Sequence, residues 1–200
     1  MTPMDRTLIA LYDDVDDALA TIEALVEMGF DREALSLCMR DPHAKEANLP
    51  ETHKERAAAS IERGALVGGA AGLLAGVGSV LLPGIGAILA IGPLASAIAG
   101  TAVGAGAGAL VGFLVGMGVD EDRAHSYAEA VRRGGILLVA RVPEERWGVA
   151  DDVLEQRHPV DIGIRAADWR AQGWVRFDPA AEPYPLAEED ERRRGKRRGE

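Results

Sequence analysis

Hydrophobic positions along this chain fall into short alternating or helical runs near both ends, and into one long uncharged block between them. Residues 7–12, Thr-Leu-Ile-Ala-Leu-Tyr, predict a buried strand that the polar cluster Asp13-Asp14-Val15-Asp16-Asp17 stops. Val15, Ala18, Leu19, Ile22, Leu25 and Val26 then recur at helical spacing, and Gly29-Phe30 has the form of a C-terminal cap with its hydrophobic contact. Residues 34–40 alternate, Leu35, Leu37 and Met39 against Ser36, Cys38 and Arg40, which predicts a second strand. Beyond a polar, proline-bounded loop at 41–50, residues 51–63 predict a charged, alanine-rich helix.

The block itself, residues 64–119, holds no charged residue, and glycine returns in it every fourth position. Gly64, Gly68, Gly72 and Gly76 form one row, and Gly100, Gly104, Gly108, Gly112 and Gly116 form another. Residues four apart share a helix face, where glycine leaves a groove for another backbone. Each interior glycine costs about 1 kcal/mol relative to alanine, so such rows need close packing or a bilayer to offset them. Two glycine-zipper helices are therefore expected, joined by a turn at Pro83, Gly84, Gly86, Gly92 and Pro93. After the block, Asp120-Glu121-Asp122 starts a return helix with Ala124, Tyr127, Ala128 and Val131 on its apolar side, and Gly134-Gly135 ends it.

Residues 136–142 predict a strand, residues 143–157 a helix opened by proline, and residues 160–165 a further strand. The two flanks thus repeat a β-α-β pattern, and together they predict an α+β, ferredoxin-like βαβ-βαβ domain interrupted between its second and third strands by the helical hairpin. The expected divisions are 6–40 for the first half, 51–133 for the charged helix, hairpin and return helix, 135–177 for the second half with its tryptophan segment, and 178–200 for a disordered charged tail.

Charge and composition narrow the function. A net charge of -10 argues against general nucleic-acid binding, which needs a basic surface. One cysteine makes no internal disulfide and fits a reducing compartment. The first residues lack the apolar core of a signal peptide, so the first domain is expected in the cytoplasm. As helices, residues 64–82 would span about 28 Å and residues 94–118 about 37 Å, against a hydrocarbon thickness of roughly 30 Å. Basic residues bracket the pair on one side, with Lys54, Arg56 and Arg63 before it and Arg123, Arg132 and Arg133 after it. A cytoplasmic-membrane hairpin with both termini cytoplasmic follows from that bracket. The competing reading is a soluble or peripheral homo-oligomer in the cytoplasm that buries the hairpins between copies, since alanine and glycine insert poorly and Phe113 is the block's one aromatic residue. Arg192, Arg193, Arg194, Lys196, Arg197 and Arg198 offer contact with anionic lipid, which the preceding acids Glu188 to Glu191 weaken.

Candidate chemistry is thin. Asp13, Asp14, Asp16 and Asp17 have oxygen ligands for a divalent cation, but no glycine-turned loop or later glutamate completes a calcium motif, so helix capping is the expected role. His43, His53, His125 and His158 lack paired ligand spacing. Cys38 has no CxxC partner, and no lysine followed by serine or threonine completes a phosphate loop. No grouping of nucleophile, base and orienting residue is present, so a protein without enzymatic activity, cofactor or metal is expected.

Several stretches resemble the bacterial general stress, or low-temperature-induced, protein family. They are Leu81-Leu82-Pro83-Gly84-Ile85-Gly86, Ala90-Ile91-Gly92-Pro93-Leu94-Ala95, Ala124-His125-Ser126-Tyr127 and Arg133-Gly134-Gly135-Ile136-Leu137. The run from Ala18 to Leu25, Gly29-Phe30, Trp169-Arg170 and Gly173-Trp174 are similar too, so the resemblance covers residues 8–177. It implies a stress-associated, membrane-associated bacterial protein with no established chemistry.

Overall fold

The computed structural model describes residues 5–41, 79–100 and 108–184. They form a mixed α+β unit around a five-stranded antiparallel sheet. In chain order its strands are β1 (Asp5–Tyr12), β2 (Leu35–Arg40), β3 (Ser79–Leu82), β4 (Gly86–Ile91) and β5 (Ile136–Pro143), and they lie side by side as β1-β5-β2-β4-β3. The helices are α1 (Val15–Glu27), α2 (Pro93–Gly100), α3 (Gly108–Gly116), α4 (Glu121–Arg132), α5 (Trp147–Glu155) and α6 (Ile162–Ala171), with short 3-10 turns at Arg32–Ala34 and Glu144–Arg146.

β5 holds the layers together because its side chains alternate between two buried faces. Ile136, Leu138, Ala140 and Val142 join α1 and α5 on one side, while Leu137 and Val139 join α2, α3, α4 and α6 on the other. β1 pairs with β5 along its whole length, from Asp5 opposite Pro143 to Tyr12 opposite Ile136. The predicted ends of α1 are present. The Asp14 side chain accepts from the Asp16 amide at 2.9 Å, and at the other end the Phe30 amide donates to the Leu25 carbonyl. Tyr12 is buried with its polar group satisfied, donating to the Leu154 carbonyl and accepting from Thr21 Oγ1, which ties β1 to α1 and α5.

Four expectations need correction. Residues 83–93 are not a turn between two helices, because β3 and β4 form a β-hairpin around Gly84, extending the sheet from the edge of β2. The burial of β4 alternates strictly, with Gly86, Ile88 and Ala90 inward. That two-residue period wins because β2 presents an unpaired edge for it to complete. At the end of β4, Gly92 has φ +73, and a Cβ there would overlap the Leu35 carbonyl oxygen. Only glycine lets the chain turn so close to β2 and start α2, whose Leu94 amide then donates to Ser36 Oγ at 3.2 Å.

Secondly, within the stretch expected as one helix at 94–118, α2 and α3 do not run on as a single straight helix. α2 and α3 pack against each other, and Leu94, Ile98, Leu110 and Leu114 enter the same core as Leu11 and Leu137. Among the described residues no helix is long and apolar enough to cross a membrane. Thirdly, residues 160–165 are not a strand. The Val160 amide makes one backbone hydrogen bond to Leu11 at the edge of β1, at 2.7 Å. Asp161 then caps α6 by accepting from the Gly163 and Ile164 amides, and Ile162, Ala166 and Trp169 bury one helical face. The strand expected at 160–165 is therefore replaced by a helix. Fourthly, the part of the tail at residues 178–184 is docked on the domain rather than disordered. The expected helix at 51–63, the first glycine row and Arg192 to Arg198 lie outside the described residues.

Candidate interaction face on α3 and α4

α3 carries two opposed surfaces. Leu110 and Leu114 are fully buried in the core, whereas Gly108, Gly112 and Gly116 face open space, where an added Cβ would meet no atom within 4 Å among the described residues. Of the second glycine row, Gly100 is the last described residue of α2 and Gly104 lies outside the described residues. Gly64, Gly68, Gly72 and Gly76 lie outside them as well. Gly112, mid-helix, costs α3 about 1 kcal/mol of helix propensity relative to alanine, and the described residues supply no packing on that face to offset it. Val115, beside them, is 43% exposed.

Next to the glycines is a cavity of about 310 Å³. Val111 and Val115 of α3 line one side, Phe177 and Pro179 of the tail line another, and Glu121 and His125 of α4 supply the polar rim. Asp120 positions that rim by capping α4, accepting from the amides of Asp122 and Arg123. The turn glycine Gly84 is linked to this site through the tail, because a Cβ on it would lie 2.9 Å from Pro179 Cα. The remaining turn residues Pro83, Gly86, Gly92 and Pro93 bound the hairpin and α2 and do not line the cavity.

His125 Nε2 is in contact with Arg176 Nη2 and lies 3.7 Å from Glu121 Oε1, which in turn is 3.2 Å from Arg176. Burial, followed by the Arg176 charge, holds the imidazole below its ordinary pKa of 6.5. A neutral ring whose Nε2 lone pair meets a guanidinium carries its proton on Nδ1, and Nδ1 is buried with no hydrogen-bond partner among the described residues. His125 thus carries one buried donor that the described residues leave unpaired. No nucleophile stands within hydrogen-bond distance of His125 among the described residues.

The other sequence candidates do not converge on this face. Asp14 caps α1, and Asp13 holds Arg165 through two hydrogen bonds of 2.6 and 2.8 Å. No group of three or more metal-ligating side chains occurs among the described residues. Cys38 is fully buried, with its thiol pushed up to about 12 by that burial, so it is not a poised nucleophile. His158 is exposed, while His43 and His53 lie outside the described residues. Sequence reasoning passed over Glu121 and Arg176. The i, i+4 spacing of Glu121 and His125 at a helix start was the one available signal, since Arg176 reaches them only through the fold. No protein-family model, curated protein or solved structure matches the chain.

Proposed function

We propose that this protein is a non-enzymatic assembly module whose copies associate through the glycine face of α3, each copy setting an apolar helix against the other. The observation that carries the reading is the open row Gly108, Gly112 and Gly116 beside the apolar cavity: an energetically poor helix surface whose shape suits close backbone approach. The α+β body acts as the docking platform. In it β5 lies between β1 and β2 with α1 and α5 on one face, a split β-α-β frame of the ferredoxin-like kind, to which β3 and β4 add on the β2 edge. The motif resemblance around residues 81–95 and 124–137 supports a bacterial stress-associated role.

The test is the mass of the protein in detergent-free buffer. A homo-oligomer that Gly108→Leu and Gly112→Leu dissociate supports the proposal. A wild-type monomer, or an oligomer indifferent to both substitutions, overturns it.

One observation favours a second reading, attachment to the cytoplasmic membrane: residues 64–119 lack any charge. Alkaline carbonate extraction separates the two. Protein retained in the membrane pellet supports integration, and recovery in the wash supports the soluble or peripheral assembly.

A further inference from the structure

The tail leaves the core at Phe177, which is buried, and crosses a cluster of charged side chains contributed by β2 and α4. Glu129 is completely buried and accepts from Arg132 Nη1 at 3.3 Å and from Arg133 Nε at 2.6 Å. Two guanidinium groups, those of Arg132 and Arg133, thus share one buried carboxylate, and beside them Arg40 Nη1 donates to the Arg132 carbonyl at 3.4 Å. The tail supplies the acceptors. Arg132 Nη2 donates to the Glu182 carbonyl at 2.7 Å, and Arg40 Nη1 donates to the Tyr184 carbonyl at 2.8 Å.

The Tyr184 ring lies 4.5 Å from the Arg132 guanidinium and 5.1 Å from that of Arg133, and its hydroxyl donates to Glu129 Oε1 at 3.4 Å. Pro183, between the two bonded carbonyls, has no amide hydrogen to leave unpaired. The hairpin turn leaves room for the strap, since a Cβ on Gly84 would stand 2.9 Å from the Asp178 carbonyl oxygen.

These contacts have the character of peptide recognition. They read alternate backbone carbonyls and one aromatic side chain, while the strap residues Glu182 and Pro183 remain exposed. The Arg132 Nε is buried and has no hydrogen-bond partner among the described residues, so the cluster has a donor that the strap does not use.

We propose that the cluster of Arg40, Arg132 and Arg133 is a docking site for an extended Glu-Pro-Tyr segment, filled in cis by Glu182-Pro183-Tyr184 and able to take the same segment from a second copy when the strap releases. The strap continues the tail that lines the cavity beside α3, but Arg40, Arg132 and Arg133 are not in that lining and neither proposal requires the other. Cis occupancy dominates because the tether places the segment at a millimolar effective concentration. Weakening the strap therefore uncovers the site.

The experiment uses the full-length chain carrying Tyr184→Ala and a fluorescent peptide of residues 180–187, followed by polarisation. The peptide is expected to bind this variant about tenfold more tightly than wild type, where the tethered strap competes. Adding Arg132→Ala, or separately Arg133→Ala, should reduce that binding, as should replacing the tyrosine in the peptide by alanine. Circular dichroism establishes that each variant is folded before titration, and either arginine variant that folds suffices. Failure of the peptide to bind the Tyr184→Ala chain, equal binding to wild type, or binding insensitive to the folded arginine variant overturns the proposal.

Discussion

Gly112 separates the two demands placed on α3, because the helix by itself and the contact between copies should respond to the same substitution with opposite signs. Gly112 lies mid-helix, and a Cβ added there meets nothing within 4 Å among the described residues. Gly112→Ala therefore gains about 1 kcal/mol of helix propensity without a clash. For a chain of this size that corresponds to a rise of about 2–4 °C in Tm. Between copies the effect reverses. A two-turn glycine contact of roughly twenty atom pairs at about 0.15 kcal/mol each contributes about 3 kcal/mol, and holding the helices apart by a methyl group forfeits a quarter to a half of it. The loss of about 1 kcal/mol weakens self-association about fivefold. Thermal melts at a concentration low enough to keep the chain monomeric, together with sedimentation at rising concentration, read the two terms separately. A lowered monomer Tm would mean that this chain itself covers Gly112, and unchanged association would mean that the face is not an interface. Either outcome refutes the reasoning.

Three further outcomes follow from buried groups. Glu129→Gln should lower stability by about 3 kcal/mol in a denaturant titration, because Arg132 and Arg133 lose the buried charge they share. Cys38 should resist a thiol reagent in the native state and react on denaturation. Burial raises its folded pKa from the ordinary 9.0 to about 12, so the stabilisation is complete below pH 9 and is lost as pH rises from there toward 12, at up to about 1.4 kcal/mol per pH unit. His125 carries the opposite sign: its folded pKa lies below 6.5, so the unfolded chain takes up the proton first and stability falls as pH drops below 6.5. His125→Gln should flatten that part of the pH–stability curve, measured by denaturant midpoints at pH 7.5 and 5.

What could be read from the chain was whatever local residues dictate. Asp14 at the start of α1, Gly29 at its end and the apolar run of β5 announce their elements, because capping and alternation act within a few residues. The errors came where two periods compete. Ile162-Gly163-Ile164 alternates like a strand, yet Asp161 caps it into a helix and leaves Ile164 66% exposed. The glycine spacing suggested helices through residue 82, but the residues around Gly84 and Gly86 fold as a hairpin because β2 has an edge to fill. Long-range polar contacts were invisible: Arg40 donates to the Tyr184 carbonyl across most of the chain, and no local pattern marks either residue for the other. The same holds for Arg176 and His125 at the cavity rim.

The claim that copies meet through α3 is most directly tested by crosslinking. The native Cys38 is buried, so Val115→Cys provides an accessible thiol beside the open glycines, and Ile164→Cys provides an exposed control on α6. A short bis-maleimide added to each variant at equal concentration should join two copies through position 115 and leave the position 164 variant monomeric. Equal crosslinking at both positions, or none at 115, would contradict assembly through the glycine face.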